Sequence, residues 1–435
     1  MSPSTYPQPF GPYELLRPLG RGGMAEVFLA AARTRAGQRL CALKRMHAGV
    51  GEDQAAVHML VAEAGLAMRF HHENIAATYE LGCHEGVYFF VMEYVDGIDL
   101  GAVVRAVESL GERVPPALAV LVMAGVARGL HHAHTMRDET GQLLGVVHRD
   151  VSPQNVLIDR RGAVKLIDFG VAKVATRIQQ TMAGIIKGKY AYMSPEQASA
   201  EPIDARSDVF AIGICLWELL TGLPLFRGPE MTSPFAILRA VREEPIRLVD
   251  ELVPELGPEL GRIVAQSLER PVALRTASAG DLADALEGWL ERFAPDFDEA
   301  ALAASVTSLL QRAPDGTLPE RLVATPPVEK MSVEAFEPST LSVVARSPLA
   351  LAAADTDRRP HRRPAPSLAF GEDVGDTAGG GKSHRGPPLP AALKAAAGLR
   401  PSRRTALQLL WVGVFALIFA FGWSVVATLK RIGKI

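Results

Sequence analysis

The 435-residue sequence predicts an α+β body followed by a helix that crosses a membrane. Three observations carry that expectation. Short β-branched and aromatic runs such as VYFFVMEYV (87–95) give way to helix-period segments such as VFAIGICLWELLTG (209–222), with Gly and Pro between them. From about residue 313 to 405 the chain turns rich in Pro, Ala, Arg and Gly, with few residues able to build a core. Residues 406–429 then run for about 24 positions without a charge.

Composition narrows the function classes. With 48% hydrophobic and 22% charged residues the chain can bury a sizeable core, and its length suggests two or three domains. Lys and Arg total 46 against 48 Asp and Glu, a formal net charge of −2, so no chain-wide basic field draws it to nucleic acid and none is expected as a partner. Cys41, Cys83 and Cys215 are odd in number, widely spaced and without a CxxC pair, which points to reduced thiols in a cytosolic body. The first residues, MSPSTYPQPFGPYELL, have neither a charged nor an apolar leader pattern, so no signal peptide is expected.

Taken in order, the first informative element is LGRGGMAEVFLA, 19–30. Gly20 and Gly22 suit a tight strand turn that brings backbone N–H groups near phosphates, and Val27 offers an apolar surface for a flat ring; a plain hairpin would use the same glycines, and the third glycine of a GxGxxG run is here Ala25. Lys44 ends CALK on an expected strand that otherwise points apolar residues inward, and Glu63 follows about 19 residues later on an expected helix, placed to pair with it. Residues 12–293 form the globular unit. DFDEAALAASVTSLLQR, 296–312, has acids in its first turn and Arg at its end, as one appended helix would. Residues 313–405 read as a disordered linker. Residues 406–429 carry Trp411 and Trp423 toward their ends and basic flanks on both sides, from Arg400 to Arg404 and from Lys430 to Lys434; they read as a transmembrane helix rather than a buried core helix, because no amphipathic face is present to dock. Few residues follow, so no domain is expected on the far side.

Three further features are set aside. GGGKS at 379–383 has Asp376 where a phosphate loop needs its first glycine. His131, His132 and His134 lack the acidic or cysteine partners of a metal site. Arg358, Arg359, Arg362 and Arg363 read as a solvated run, with anionic lipid headgroups as the alternative partner.

VVHRDVSPQNVL, 146–157, and KLIDFG, 165–170, are decisive, followed at family spacing by SPE at 194–196 and DVFAIG from 208. Over about residues 12–293 the chain resembles the eukaryotic-like, Hanks-type bacterial serine/threonine protein kinases. The resemblance implies the two-lobed protein kinase fold, a β-rich N-lobe to about Glu93 and a helical C-lobe to about Phe293, binding ATP with Mg2+ or alternatively Mn2+. It implies that Lys44 holds the α and β phosphates and is oriented by Glu63, that Asp168 and Asn155 hold the metal, and that Asp150 takes or orients the substrate hydroxyl proton. The nucleotide would lie among Leu19, Gly20, Gly22, Gly23, Val27, Ala42 and Leu157. Met92 would border the adenine pocket, the backbone of Glu93 and Val95 would meet the base, and Asp99 the ribose. Glu196 and Arg275 match a buried ion pair bracing the C-lobe, and Asp208 matches a residue tying down the catalytic loop. Tyrosine specificity is the weaker expectation, because no arginine stands just before Asn155.

Two departures stand out. The family lysine two places after the catalytic aspartate is here Ser152, and the threonine of the later Gly-Thr pair is here Lys189, after Gly188. The two family positions touch, so Lys189 is expected to replace the lost charge beside Asp150; the alternative is a weakened kinase or a pseudokinase scaffold that binds nucleotide or partners. Arg149 before Asp150 goes in the family with activation-loop phosphorylation, for which Thr181, and otherwise Thr176, is the candidate; Thr325, Thr340 and Ser347 in the linker are open candidates. Because ATP is cytoplasmic, the kinase body should face the cytoplasm from a single-pass anchor in the inner membrane, acting on protein serine and threonine and on itself by self-association.

Overall fold

The computed structural model of the chain describes residues 6–22, 25–34, 37–47, 54–169, 189–228 and 233–314. Gly23, Thr176, Thr181, the linker from residue 315 and the expected membrane segment 406–429 lie outside them. Six antiparallel strands open the chain: β1 (Gln8–Phe10), β2 (Tyr13–Arg21), β3 (Ala25–Thr34), β4 (Gly37–Met46), β5 (Thr78–His84) and β6 (Val87–Glu93), in the order β1-β2-β3-β4-β6-β5. One helix, α1 (Gln54–Ala67), joins β4 to β5.

Alternation along β4 sorts its side chains onto two faces. Cys41 and Leu43 pack with Phe28, Phe89 and Val91 on one, while Met46 packs with Ala25, Leu60, Ala64 and Phe90 on the face covered by α1. Lys44, two residues before Met46, shares the α1 face, in register with Val27 of β3 and Phe90 of β6. Arg45 points the other way and keeps its charge solvated by an ion pair to Glu26 at 2.8 Å, its guanidinium 4.8 Å from the Phe28 ring centre. Burial pushes the Cys41 thiol up to about 12, which keeps it an inert core residue.

A second, three-stranded antiparallel sheet, β7 (Gly97–Asp99), β8 (Val156–Asp159) and β9 (Val164–Leu166), begins the helical lobe. Its helices are α2 (Leu100–Leu110), α3 (Pro116–His134), α4 (Pro195–Ala198), α5 (Arg206–Thr221), α6 (Pro234–Glu243), α7 (Val249–Leu252), α8 (Gly257–Ser267), α9 (Ala279–Phe293) and α10 (Glu299–Arg312). Nearly every residue of α5 is buried, which explains the absence of a polar stripe in its sequence. Among the described residues, α3 alone is long and apolar enough to cross a bilayer; it lies in the core, packed on α5 and α9.

The segment 296–312 is helical from Glu299, because the Asp298 side chain accepts the Ala301 N–H at 2.9 Å and so caps the helix there. Leu302, Val306, Leu309 and Leu310 are buried, and α10 packs on α2 and α3. The β8–β9 turn meets its start: Gly162 has φ +92°, and a Cβ there would lie 1.8 Å from the Glu299 carbonyl oxygen. The appended helix is therefore part of the helical lobe.

Candidate active site

A cleft runs between the large sheet and the β7–β9 sheet. Val27 and Ala42 line it from above and Leu157 from below, with Leu19 and Gly20 at its mouth and Met92 at its inner edge, an apolar slot suited to a flat ring. Gly22 does not line this slot; its N–H donates to the Ala25 carbonyl at 2.9 Å and closes the β2–β3 turn. Ala25, which stands in place of the third glycine of the pattern, is buried in one cluster with Met46.

Residues 93–99 connect the lobes. The Glu93 N–H donates to the Ala77 carbonyl at 2.8 Å, and the Val95 carbonyl accepts from Gly97 N–H at 3.0 Å. The sequence singled out Glu93 for its backbone, but its carboxylate has a structural part too. It accepts from Lys165 of β9 at 3.1 Å and from the Ala77 N–H at 3.2 Å, which pins the connection to the lower sheet. Asp99 lines the cleft and caps α2, accepting the Ala102 N–H at 2.9 Å.

At the deep end, Lys44 Nζ lies 2.6 Å from Asp168 Oδ1. Glu63, expected to orient Lys44, is buried on α1. Asp168 holds φ +63°, a left-handed backbone that costs a non-glycine residue energy and persists where its surroundings enforce it. The next residue does so: Phe169 packs its ring 4.8 Å from Phe70 and 4.5 Å from His148.

The loop from His148 to Asn155 is held by hydrogen bonds to α5 and within itself. Asp208, buried on α5, accepts the N–H groups of His148 and Arg149, each at 2.8 Å, and the His134 Nε2–H at 2.8 Å. Burial alone pushes the Asp208 carboxyl up, but the hydrogen bond and charge of His134 and the Arg149 N–H outweigh it and hold it below its usual range. His148 Nε2–H donates to the Ile167 carbonyl, which leaves Nδ1 to accept the Asp150 N–H at 3.3 Å. Asn155 Nδ2 donates to the Asp150 carbonyl at 2.7 Å. Ser152 is buried in extended backbone, its carbonyl accepting the Asn155 N–H at 2.9 Å. Lys189 begins a 3-10 turn to Tyr192; its side chain lies outside the described residues, and so does the expected exchange with Ser152.

Below the cleft, Glu196 and Arg275 form a buried two-bond ion pair at 2.7 and 3.0 Å, with Ser207 Oγ–H donating to Glu196 at 2.6 Å. His134, one of the three clustered histidines, is spent on Asp208, and the His132 ring lies tilted against that of His72, centres 5.1 Å apart. The hard oxygen donors Asp168 and Asn155 at the cleft end suit Mg2+, beside a lysine suited to phosphate.

The protein kinase domain pattern matches residues 13–279. The chain is 40% identical over 284 residues to a tyrosine-protein kinase, MasK, of Myxococcus xanthus, covering 65% of this chain and 44% of that protein. It is 33% identical over 318 residues to the serine/threonine-protein kinase PknH of Mycobacterium tuberculosis, covering 73% of this chain and 47% of PknH. It thus spans less than half the length of these relatives. The crystal structure of the M. tuberculosis PknI kinase domain shares the fold at 24% identity, with a TM-score of 0.50 over 66% of this chain and 99% of that one. With its motifs gathered in one cleft between a β-rich and a helical lobe, the chain belongs to the protein kinase family, in its Hanks-type bacterial branch.

Proposed function

We propose that the chain transfers the γ-phosphate of ATP to serine or threonine of cytoplasmic proteins, itself included, and that residues 406–429 hold it to the inner membrane as a single-pass anchor. The observation that carries the reading is the convergence of Lys44, Asp168 and the loop bearing Asp150 and Asn155, from three separate parts of the chain: Lys44 meets Asp168 in the apolar slot, and the Asn155 carbonyl accepts the Ile167 N–H at 2.9 Å beside it. Phosphoryl transfer asks the protein mainly to position two reactants and to stabilise spreading negative charge. Val27, Ala42 and Leu157 would sandwich the adenine, and Lys44 would leave Asp168 for the phosphates. Asp168 and Asn155 would hold Mg2+, which when bound supplies charge neutralisation at the phosphate oxygens. Asp150, held through both flanking peptides, would orient the acceptor hydroxyl and take its proton.

The similarity to a protein named a tyrosine kinase favours a second reading, with tyrosine as the acceptor. Labelled-ATP transfer by the full chain in detergent, beside Asp150→Asn, followed by phosphoamino-acid analysis, separates the readings. Label on serine and threonine, lost in the variant, is the expected result; label on tyrosine moves the assignment. Tight Mg2+–ATP binding without transfer turns it to a nucleotide-binding scaffold. Deleting 406–429 should move the chain from the membrane to the soluble fraction, and retention in the membrane would remove the anchor from the proposal.

A further inference from the structure

Arg149 is the unusual residue of the loop. It holds φ +71°, a left-handed conformation that a residue with a Cβ keeps only where the surroundings over-determine it. Its N–H is held by Asp208, and its carbonyl oxygen accepts a hydrogen bond from Gln197 Nε2 at 3.1 Å. That carbonyl shares a rigid peptide plane with the Asp150 N–H, so the bond from Gln197 sets the rotation of the plane from which Asp150 departs.

The other end of Gln197 is equally specific. Its Oε1 accepts the Ser194 N–H at 3.0 Å, while its own backbone N–H donates to Ser194 Oγ at 3.3 Å. Ser194 is fully buried and follows, after Met193, the turn Lys189–Tyr192 that ends the expected activation loop. The amide orientation follows from its partners, because a carbonyl can only accept and a backbone N–H can only donate. One side chain thus bridges the end of the activation loop and the peptide before Asp150.

We propose that Gln197 is a positioning residue for phosphoryl transfer, reporting the placement of the activation-loop end to Asp150 through the Arg149 carbonyl. The inference rests on the kinase reading above. The role needs one donor and one acceptor at the reach of glutamine. Leucine has neither, and ionised glutamate sets an acceptor against the Arg149 carbonyl. Protonated glutamate restores both, since its O–H can donate to Arg149 while its C=O accepts from Ser194.

The test uses the full chain in detergent, with Gln197→Leu and Gln197→Glu compared with the wild type for kcat, KM for ATP, Mg2+–ATP affinity and thermal midpoint. The expected result is a kcat lowered about tenfold to a hundredfold in both variants, with nucleotide affinity and KM for ATP within about twofold of wild type. The kcat of Gln197→Glu relative to wild type should recover as pH falls from about 7 to about 4.5, where a glutamate carboxyl begins to take up its proton, and that of Gln197→Leu should not. Wild-type kcat in Gln197→Leu overturns the positioning role while leaving the kinase reading intact. A kcat loss in Gln197→Glu that does not change with pH does the same, because a merely structural defect would not respond to the added proton. Absence of transfer by the wild-type chain overturns the kinase reading itself, and this proposal with it.

Discussion

Two ion pairs at opposite ends of the same machinery show how differently one chemistry is used. Glu196 and Arg275 are 5% and 0% exposed, and all five guanidinium N–H groups are taken: two by Glu196 and the others by the carbonyls of Arg206, Glu269 and Arg270. Its guanidinium also lies 4.9 Å from the Phe210 ring centre. Lys44 and Asp168 are 11% and 30% exposed, face the cleft, and make one short contact of 2.6 Å. Saturation and burial turn the first pair into a brace, since neither charge can leave without stranding the other. Partial exposure and spare donors on Lys44 leave the second pair exchangeable, so a phosphate can compete for it.

The largest expected effect breaks the brace. Glu196→Ala leaves Arg275 buried without its counter-charge and should destabilise the fold by about 3–5 kcal/mol in urea unfolding; a change below about 1 kcal/mol would mean that the pair is not the brace described. Lys44→Met should reverse the pattern, lowering transfer by about a hundredfold to a thousandfold with the unfolding free energy within about 1 kcal/mol of wild type. Equal damage to stability and transfer would erase the distinction between the two pairs.

Asp99→Ala tests a residue that joins both roles. Loss of the α2 cap should cost about 1 kcal/mol, and nucleotide affinity should fall as well; an unchanged affinity would leave Asp99 a cap only. Acid sharpens the comparison. Burial pushes the Glu196 carboxyl up, but the bonds from Arg275 and Ser207 win and leave it below the usual carboxylate range. A folded-state value lower than the unfolded one contributes stability that is present above about pH 4.3 and lost as pH falls through the lowered value. The stability gap between wild type and Glu196→Gln should therefore narrow below that pH, and a gap that widens on acidification contradicts the assignment. The smallest effect belongs to Arg312 at the end of α10. It meets Glu112 at 2.8 and 2.9 Å on an exposed surface, and Arg312→Ala should leave the unfolding midpoint where it was.

Much of the site was legible because its residues lie in short, ordered motifs. The catalytic loop, KLIDFG and the later SPE appear in the sequence at the spacing the cleft needs, and alternation along CALK already puts Lys44 on the side of Met46. Harder to read were the distant contacts that no family motif implies. Lys165 is 72 residues from Glu93, and Gln197 is 48 from Arg149, so no local pattern announces either bond. Capping also hides from composition: 296–312 reads as one helix, but only the bond between Asp298 and Ala301 sets its first turn.

The sequence by itself determined the order of the strands and helices and the identity of the charged groups, because periodicity and motif spacing are properties of neighbouring residues. Beyond the Glu196–Arg275 pair and the Asp208 tie that the family motifs implied, tertiary structure decided which of those groups meet. It set Lys44 against Asp168, joined the Arg149 carbonyl to Gln197, and turned the appended helix into part of the helical lobe. The physical reason is that a buried polar group must find a partner in three dimensions, and the nearest one in space is rarely the nearest in the chain.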